Sequence, residues 1–145
     1  GHSTELSVDR IRGMVAGLLT EAGLDYALVK KGETDQIMIE MVLDTDELDT
    51  KRVIHFKLEV PMIYAKRKRG PDKYLEAASW PLFHDYLERR LAAVQLGITD
   101  LVEEFSANIV MQLPDGTQGT LADAIKQSAA NPEAPLLPFI MEAAR

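Results

Sequence analysis

The chain has 145 residues, of which 46% are hydrophobic and none is cysteine, and its net charge is −7. It is long and apolar enough for one domain with a substantial core. The lack of cysteine excludes disulfides, thiolate nucleophiles and Cys-based metal sites, and the negative charge disfavours a large nonspecific grip on nucleic acid. With no apolar run that would span a bilayer and no signal-type start, we expect a soluble cytoplasmic protein without a membrane partner.

The first predicted element is a helix that follows Ser7, a plausible N-cap, and ends near Gly23. Its apolar residues recur at spacings of three and four, which is typical of one face of a helix. Gly13 and Gly17 weaken this helix, and we interpret them as sites of close packing against a neighbouring element.

Three strands are predicted next, over residues 24–31, 36–43 and 52–60. In the second and third strands, apolar residues alternate with polar ones such as His55. This alternation is typical of an antiparallel sheet with one wet face, whose dry face has to be covered by another layer. Residues 61–71 are predicted to form a long connection.

A long helix is predicted from Asp72 to Gly97, where the glycine breaks or kinks it, and this helix is the expected cover for the sheet. Pro81 is placed in its first turn after Ser79, where a missing N–H costs little. Thr99 is expected to cap a short helical continuation.

The C-terminal part predicts a short strand at 109–113 and a tight turn at 114–116, where Pro-Asp-Gly supplies the turn residues. Thr120 and Asp123 have the spacing of a capping box for a last helix over 121–128. Overall, the patterns predict a single α+β domain in which a three- to four-stranded, mainly antiparallel sheet packs on the long helix, in the order α-β-β-β-α-(α)-β-α.

Within this outline, residues 1–2 are interpreted as the remnant of an expression tag and residues 3–145 as the domain, with an apolar C-terminal tail at 132–145. Exposed apolar side chains in such a tail would form an unfavourable patch, so we predict that they bury against the domain or form an oligomer interface. The predicted interface residues are Leu136, Leu137, Phe139 and Ile140.

A spaced pattern runs from about Leu87 to Pro138. Its residues are Gly97-Ile98-Thr99, Glu103-Glu104-Phe105, Ala107, Ile109-Val110, Leu113-Pro114-Asp115-Gly116-Thr117 and Pro135-Leu136-Leu137-Pro138. This half of the chain resembles a family of small uncharacterised proteins of tailed phages and prophages, with a motif similar to GIxxFExEFLAxIxLPDGxT. The chain departs from that pattern at Gln118-Gly119-Thr120 and at the Trp80-Pro81-Leu82-Phe83 entry to the long helix. The resemblance implies a phage or prophage origin, and hence the cytoplasm of a bacterial host, but no known activity.

Candidate catalytic and metal-binding groups are few. His55 and His84 lie in no recognisable nucleophile turn and are too far apart for a metal motif, so both are expected on the surface. The acidic run at 44–49 lacks the central glycine and distal glutamate of an EF-hand loop, and is predicted to be a solvated loop. Glu103 and Glu104 diverge because they occupy adjacent helical positions. We expect no catalytic residue, no metal and no cofactor, and therefore no enzyme.

One ligand site is predicted around the connection at 61–71. It consists of the four consecutive bases at 66–69 and a tyrosine on either side of them. Basic side chains on a loop can collect phosphates or an acidic partner, and the flanking tyrosines can stack on a base. The competing interpretation is a flexible solubilising loop. Trp80 is predicted to pack in the core rather than to serve as a ligand platform. The predicted site residues are Lys66, Arg67, Lys68, Arg69, Tyr64 and Tyr74.

Two main hypotheses for function follow. The first is a noncatalytic phage or prophage accessory protein that acts by binding, as a homo-oligomer or with a phage or host protein. The alternative is a protein that binds a nucleotide or nucleic acid through the basic run, for anti-defence sequestration or phage DNA metabolism. A hydrolytic enzyme is ranked third.

Overall fold

A computed structural model describes residues 2–43 and 52–131, with side chains described from Val8 onward. The helices are α1 (His2–Glu21), α2 (Glu76–Gln95), α3 (Leu101–Glu104) and α4 (Leu121–Ala130), with a 3-10 helix at Ser106–Asn108. The strands are β1 (Asp25–Lys31), β2 (Thr34–Leu43), β3 (Arg52–Glu59), β4 (Tyr64–Ala65), β5 (Lys73–Tyr74), β6 (Val110–Gln112) and β7 (Gln118–Thr120). The predicted α+β class is confirmed.

The main sheet is antiparallel, with the strand order β1-β2-β3. Ile37 of β2 lies opposite Leu58 of β3, and Ile39 lies opposite Phe56; all four side chains are buried. On the other face, His55 is exposed opposite Glu40. The predicted alternation is therefore confirmed, because successive side chains of a strand point to opposite faces.

Buried side chains of α1 and α2 share one core with those of the dry face, and the two helices also pack against each other. Phe56 meets Phe105 edge to face with ring centroids 6.2 Å apart, and Trp80 meets Phe83 in the same geometry at 6.1 Å. One continuous cluster results, as the predicted cover by the long helix requires. Its members are Val8, Val15, Leu19, Leu24, Ile37, Ile39, Phe56, Leu58, Val60, Trp80, Phe83, Leu87, Leu91 and Phe105.

Helix α1 differs from its prediction in two ways. It already includes His2, so Ser7 is not its N-cap. Gly13 and Gly17 are exposed, and a Cβ built on either would find no atom within 4 Å. Their interpretation as sites of close packing is wrong in the described part of the chain, because both lie on the solvent side of α1 while Val15 is buried.

Helix α2 begins at Glu76 rather than at Asp72, because Lys73 and Tyr74 pair with β4 instead. Pro81 consequently lies inside α2 rather than in its first turn, and its missing N–H removes one helical hydrogen bond. The local sequence gave no sign that Lys73 and Tyr74 would pair with Ala65 and Tyr64.

The end of α2 follows the prediction, since Gly97 adopts a positive φ of 75° that suits a glycine. The N-cap of α3 differs from the prediction, because the side chain of Asp100 rather than that of Thr99 accepts a hydrogen bond from the backbone N–H of Glu103, at 2.8 Å. Ile98 is 76% exposed because it lies beyond the break.

The C-terminal part contains one more strand than predicted. The strand expected at 109–113 is β6, and β7 pairs with it across the predicted turn, in which Gly116 has a φ of 87°. The capping box of α4 is confirmed, with Asp123 N donating to Thr120 Oγ1 at 3.2 Å and Thr120 N donating to Asp123 Oδ2 at 3.0 Å. The Thr120 N–H stabilises the carboxylate and lowers the pKa of Asp123.

Arg90 joins α2 to the segment that follows it. Its Nε donates to Glu104 Oε1 at 2.9 Å, and its guanidinium lies 4.3 Å from the centre of the Phe105 ring. It also donates to the Tyr86 hydroxyl and to the Glu104 carbonyl. Asn108 continues this link by donating to the Lys57 carbonyl in β3 at 3.1 Å. Glu104 therefore has a structural partner.

We predict that Phe56→Ala lowers the free energy of unfolding by about 3–5 kcal/mol, because it removes a ring from a filled core and leaves a cavity. Val53→Ala is the matched control on the exposed face of the same strand, and should change it by no more than about 0.5 kcal/mol. Urea denaturation followed by circular dichroism measures both. Equal losses in the two variants would contradict the assignment of the buried face.

Candidate functional site

The predicted basic run lies at the tip of a small antiparallel hairpin. Tyr64 pairs with Tyr74 and Ala65 with Lys73, and Leu75 N extends the ladder by donating to Ile63 O at 2.7 Å. We call residues 64–74 the basic hairpin. All four bases of the run are exposed, as expected for a connection. The structure thus brings the six predicted ligand-binding residues into one element.

The two tyrosines of the basic hairpin contact each other at its base. Their ring centroids are 5.8 Å apart and the ring planes are inclined by 51°. Tyr64 is 42% exposed, whereas Tyr74 is only partly accessible. Tyr64 therefore offers a ring to solvent, and Tyr74 anchors the hairpin to the domain.

An open cleft of about 530 Å³ lies beside the basic hairpin, between it and α1. We call it the hairpin cleft. Basic and acidic side chains both reach it, so its electrostatic character is mixed, unlike that of the hairpin tip. It is lined by Val8, Asp9, Arg12, Lys73, Tyr74, Leu75, Glu76 and Ala77.

Arg12 is the central charge of the hairpin cleft. Its guanidinium lies 3.2 Å from Glu76 Oε2, 3.3 Å from Asp9 Oδ1 and 3.9 Å from Asp35 Oδ2. It also lies over the Trp80 ring, 5.1 Å from the ring centroid. One cation thus meets three carboxylates and an aromatic face, which fixes the start of α2 against α1 and β2.

Sequence reasoning missed this arrangement because its members are far apart in the chain. The one local signal is that Arg12 follows the buried Val8 by four residues, which places both on the same side of α1. Nothing local indicates that Asp35 or Glu76 comes to the same point.

Three buried polar atoms beside Arg12 have no hydrogen-bond partner within residues 8–43 and 52–131: Asp35 Oδ2, Tyr74 Oη and Trp80 Nε1. A second pocket, of about 170 Å³, is lined in part by Arg12, Asp35 and Trp80. Buried polar groups are normally satisfied, so these atoms can accept or donate hydrogen bonds to water or to a small polar molecule. The prediction that Trp80 packs in the core is confirmed, since it is 1% exposed.

Burial raises the pKa of Tyr74, because the charged phenolate would be poorly solvated there. The nearby Ser79 hydroxyl opposes this effect, Asp35 and Glu76 add to it, and Arg12 opposes it weakly. The neutral phenol is therefore the form that the fold favours.

The two histidines lie apart from the hairpin cleft. His55 is exposed on the wet face of the sheet, as predicted, with Nε2 3.6 Å from Glu40 Oε2. His84 was also expected on the surface, but its side chain is only 12% exposed, with Nδ1 3.2 Å from Asp85 Oδ1. That expectation is wrong, since His84 follows the buried Trp80 by one helical turn and shares its side of α2.

Comparison of the chain with protein-family models, with curated proteins and with solved structures finds no match. No helix in the described part combines the length and apolarity needed to cross a membrane. Within residues 8–43 and 52–131, His, Asp and Glu side chains do not gather in threes as a metal ion would require. The acidic run at 44–49 and the predicted interface residues Leu136, Leu137, Phe139 and Ile140 lie outside the described residues.

We predict that Tyr74→Phe changes the free energy of unfolding at neutral pH by no more than about 1 kcal/mol, because the contact of its buried hydroxyl with Ser79 is not a well-formed hydrogen bond. In the parent chain, the raised pKa of Tyr74 adds to the free energy of unfolding. This contribution is fully present below the ordinary tyrosine pKa of 10.0 and is lost as the pH rises through the pKa of Tyr74 in the folded chain. Stability of Tyr74→Phe should therefore fall less above pH 10.

Urea denaturation across that alkaline range measures the difference, and Tyr64→Phe is the matched control because Tyr64 is largely exposed. A steeper alkaline loss in Tyr74→Phe than in the parent chain would contradict the burial of this hydroxyl.

Proposed function

We propose that this chain is a noncatalytic binding protein of phage or prophage origin that self-associates. The origin rests on the resemblance of residues 87–138 alone. The observation that carries self-association is that exposed apolar side chains occur in neighbouring groups, whereas singly scattered ones are ordinary.

Two such groups lie on the described surface. Val42 and Val53 face each other across β2 and β3, at 47% and 48%. Leu82 and Tyr86, four residues apart on α2 and 57% and 49% exposed, border an apolar groove of about 400 Å³ between α2 and the end of β3. The lining residues of this groove are Glu59, Pro61, Leu82, Phe83 and Tyr86. Leu28 and Val29 of the edge strand β1 are 52% and 42% exposed as well, on opposite faces of the sheet.

The surroundings of the histidines support a noncatalytic role. His55 and His84 each have a carboxylate as their nearest polar partner, Glu40 and Asp85 respectively. A hydrolytic centre of the triad type places a histidine between a carboxylate and a hydroxyl or thiol nucleophile, whereas the polar contacts of His55 and His84 within the described residues are with carboxylates.

We predict that sedimentation equilibrium of the full chain gives a mass above the 16.1 kDa of one copy, and that this mass rises with concentration. The reason is that association removes the grouped apolar side chains from water. A chain ending at Asn131 tests whether the predicted tail interface contributes. A mass of one copy for the full chain at every concentration would contradict self-association.

The second candidate is recognition of a phosphate-bearing ligand, a nucleotide or a short nucleic acid, by the basic hairpin. The tyrosine pair favours it, because Tyr64 presents a stacking surface directly beside the exposed bases. Lys73 adds a fifth base, and Asp72 is the one acid in residues 64–74. The positive charge is thus concentrated on one small element of an acidic protein.

The extent of this charge limits the ligand. A net charge of −7 repels a long polyanion that would lie along the body of the domain. A nucleotide or a short single strand can reach the hairpin tip without lying along that body. The proposed ligand is therefore small, with phosphates on the bases and one nucleobase on Tyr64.

We predict that Lys68→Glu with Arg69→Glu abolishes measurable binding of a short oligonucleotide, or flattens its salt dependence by a slope of about 0.7 for each phosphate that the variant no longer binds. Arg89→Glu with Lys126→Glu is the matched control, since it makes the same change in net charge at exposed bases of α2 and α4.

Fluorescence anisotropy titrations at two salt concentrations measure both variants. Equal weakening in the two would indicate a general charge effect, and no binding by the parent chain would remove this candidate.

A further inference from the structure

Strand β1 forms one edge of the main sheet. Its inner edge pairs with β2 over seven residues, from Asp25 opposite Glu40 to Lys31 opposite Thr34. Its outer edge has no strand partner among the described residues. An open edge presents unpaired N–H and C=O groups in a row, which is a template for a further strand.

The side chains of β1 divide between the two faces of the sheet. Leu28 lies opposite the buried Ile37, and is therefore on the face that carries the helices. Asp25, Val29 and Lys31 lie on the other face, and all three are exposed. The strand thus bears an acid at its start, apolar residues at its centre and bases at its end.

We propose that the outer edge of β1 pairs with β1 of a second copy of this chain, antiparallel and about a two-fold axis at Leu28. This rests on the self-association proposed above and names its surface. The axis places Leu28 opposite Leu28, Ala27 opposite Val29 and Asp25 opposite Lys31. The two three-stranded sheets become one continuous six-stranded sheet.

The sequence of β1 selects this register. In an antiparallel pair, two directly opposed residues either both turn their backbone groups toward the partner strand or both turn them away, so the two-fold axis has to pass through a residue. An axis at Val29 would leave Asp25 opposite the β1–β2 turn, with no strand lysine to pair with. An axis at Leu28 instead forms the Asp25–Lys31 pair twice, once on each side.

The lysines at the end of β1 are also explained. Lysine on an edge strand usually prevents pairing with other chains. In a parallel pairing, Lys30 and Lys31 would meet their own copies, whereas the antiparallel arrangement places Lys31 beside Asp25 and Lys30 beside Tyr26. The same residues that disfavour other partners therefore favour a second copy.

Charge exchange tests the register. Asp25→Lys or Lys31→Asp alone should weaken association at least roughly 10-fold, because each puts two like-charged pairs into the dimer. The double variant should restore it, because both pairs return with reversed polarity. Asp25 faces Glu40 within the sheet, so Asp25→Lys removes a like-charge pair in the monomer and leaves the fold intact. Sedimentation equilibrium gives the dissociation constants.

A crosslink provides a second measurement. The chain has no cysteine, so Leu28→Cys introduces a single thiol. Directly opposed residues of an antiparallel pair have Cα atoms roughly 4.5–5.5 Å apart, within the range that a disulfide spans. Mild oxidation should therefore give a covalent dimer from Leu28→Cys. Val53→Cys, nearly as exposed but on β3, is the control and should give no covalent dimer.

The outcomes separate this inference from the proposed function. Dimers that are unaffected by the charge exchanges and do not crosslink at position 28 would overturn the β1 pairing and leave self-association standing. A crosslink at position 53 in place of 28 would overturn it in favour of the opposite edge. A single-copy mass for the parent chain would overturn both proposals.

Discussion

The dry face of the β1–β2–β3 sheet carries Ile37, Ile39 and Phe56, and the sheet is stable only when these side chains are removed from water. Each large apolar side chain contributes about 1.5–3 kcal/mol on full burial, so an uncovered face would forfeit much of the stability. Two 20-residue helices, α1 and α2, provide the cover. The positions of the polar groups follow from this requirement, since covering the sheet also brings the helices into contact with each other.

The hairpin cleft is a consequence of that arrangement. Arg12 of α1 reaches Glu76 at the start of α2 because the two helices pack against each other. Tyr74 belongs to the basic hairpin, yet its hydroxyl lies among the same groups. The exposed basic tip is therefore attached to the most polar part of the interior through one aromatic side chain.

Local patterns predicted the elements whose determinants are local. The alternation around Phe56, the Thr120–Asp123 capping box and the break at Gly97 are all properties of a few consecutive residues. The β4–β5 pairing and the ion pairs of Arg12 are not, because they depend on residues up to 64 positions apart. The residues of the basic run could thus be identified from the sequence, but not the cleft beside them or the packing of their two tyrosines against each other.

The placement of Trp80 gives the protein an intrinsic optical reporter. It is the sole tryptophan, it is 1% exposed, and the Arg12 guanidinium lies over its ring. Indole emission is sensitive to a neighbouring cation and to water. Fluorescence from one position therefore records the state of the Arg12 cluster, without any label, while the chain unfolds, associates or takes up a small molecule.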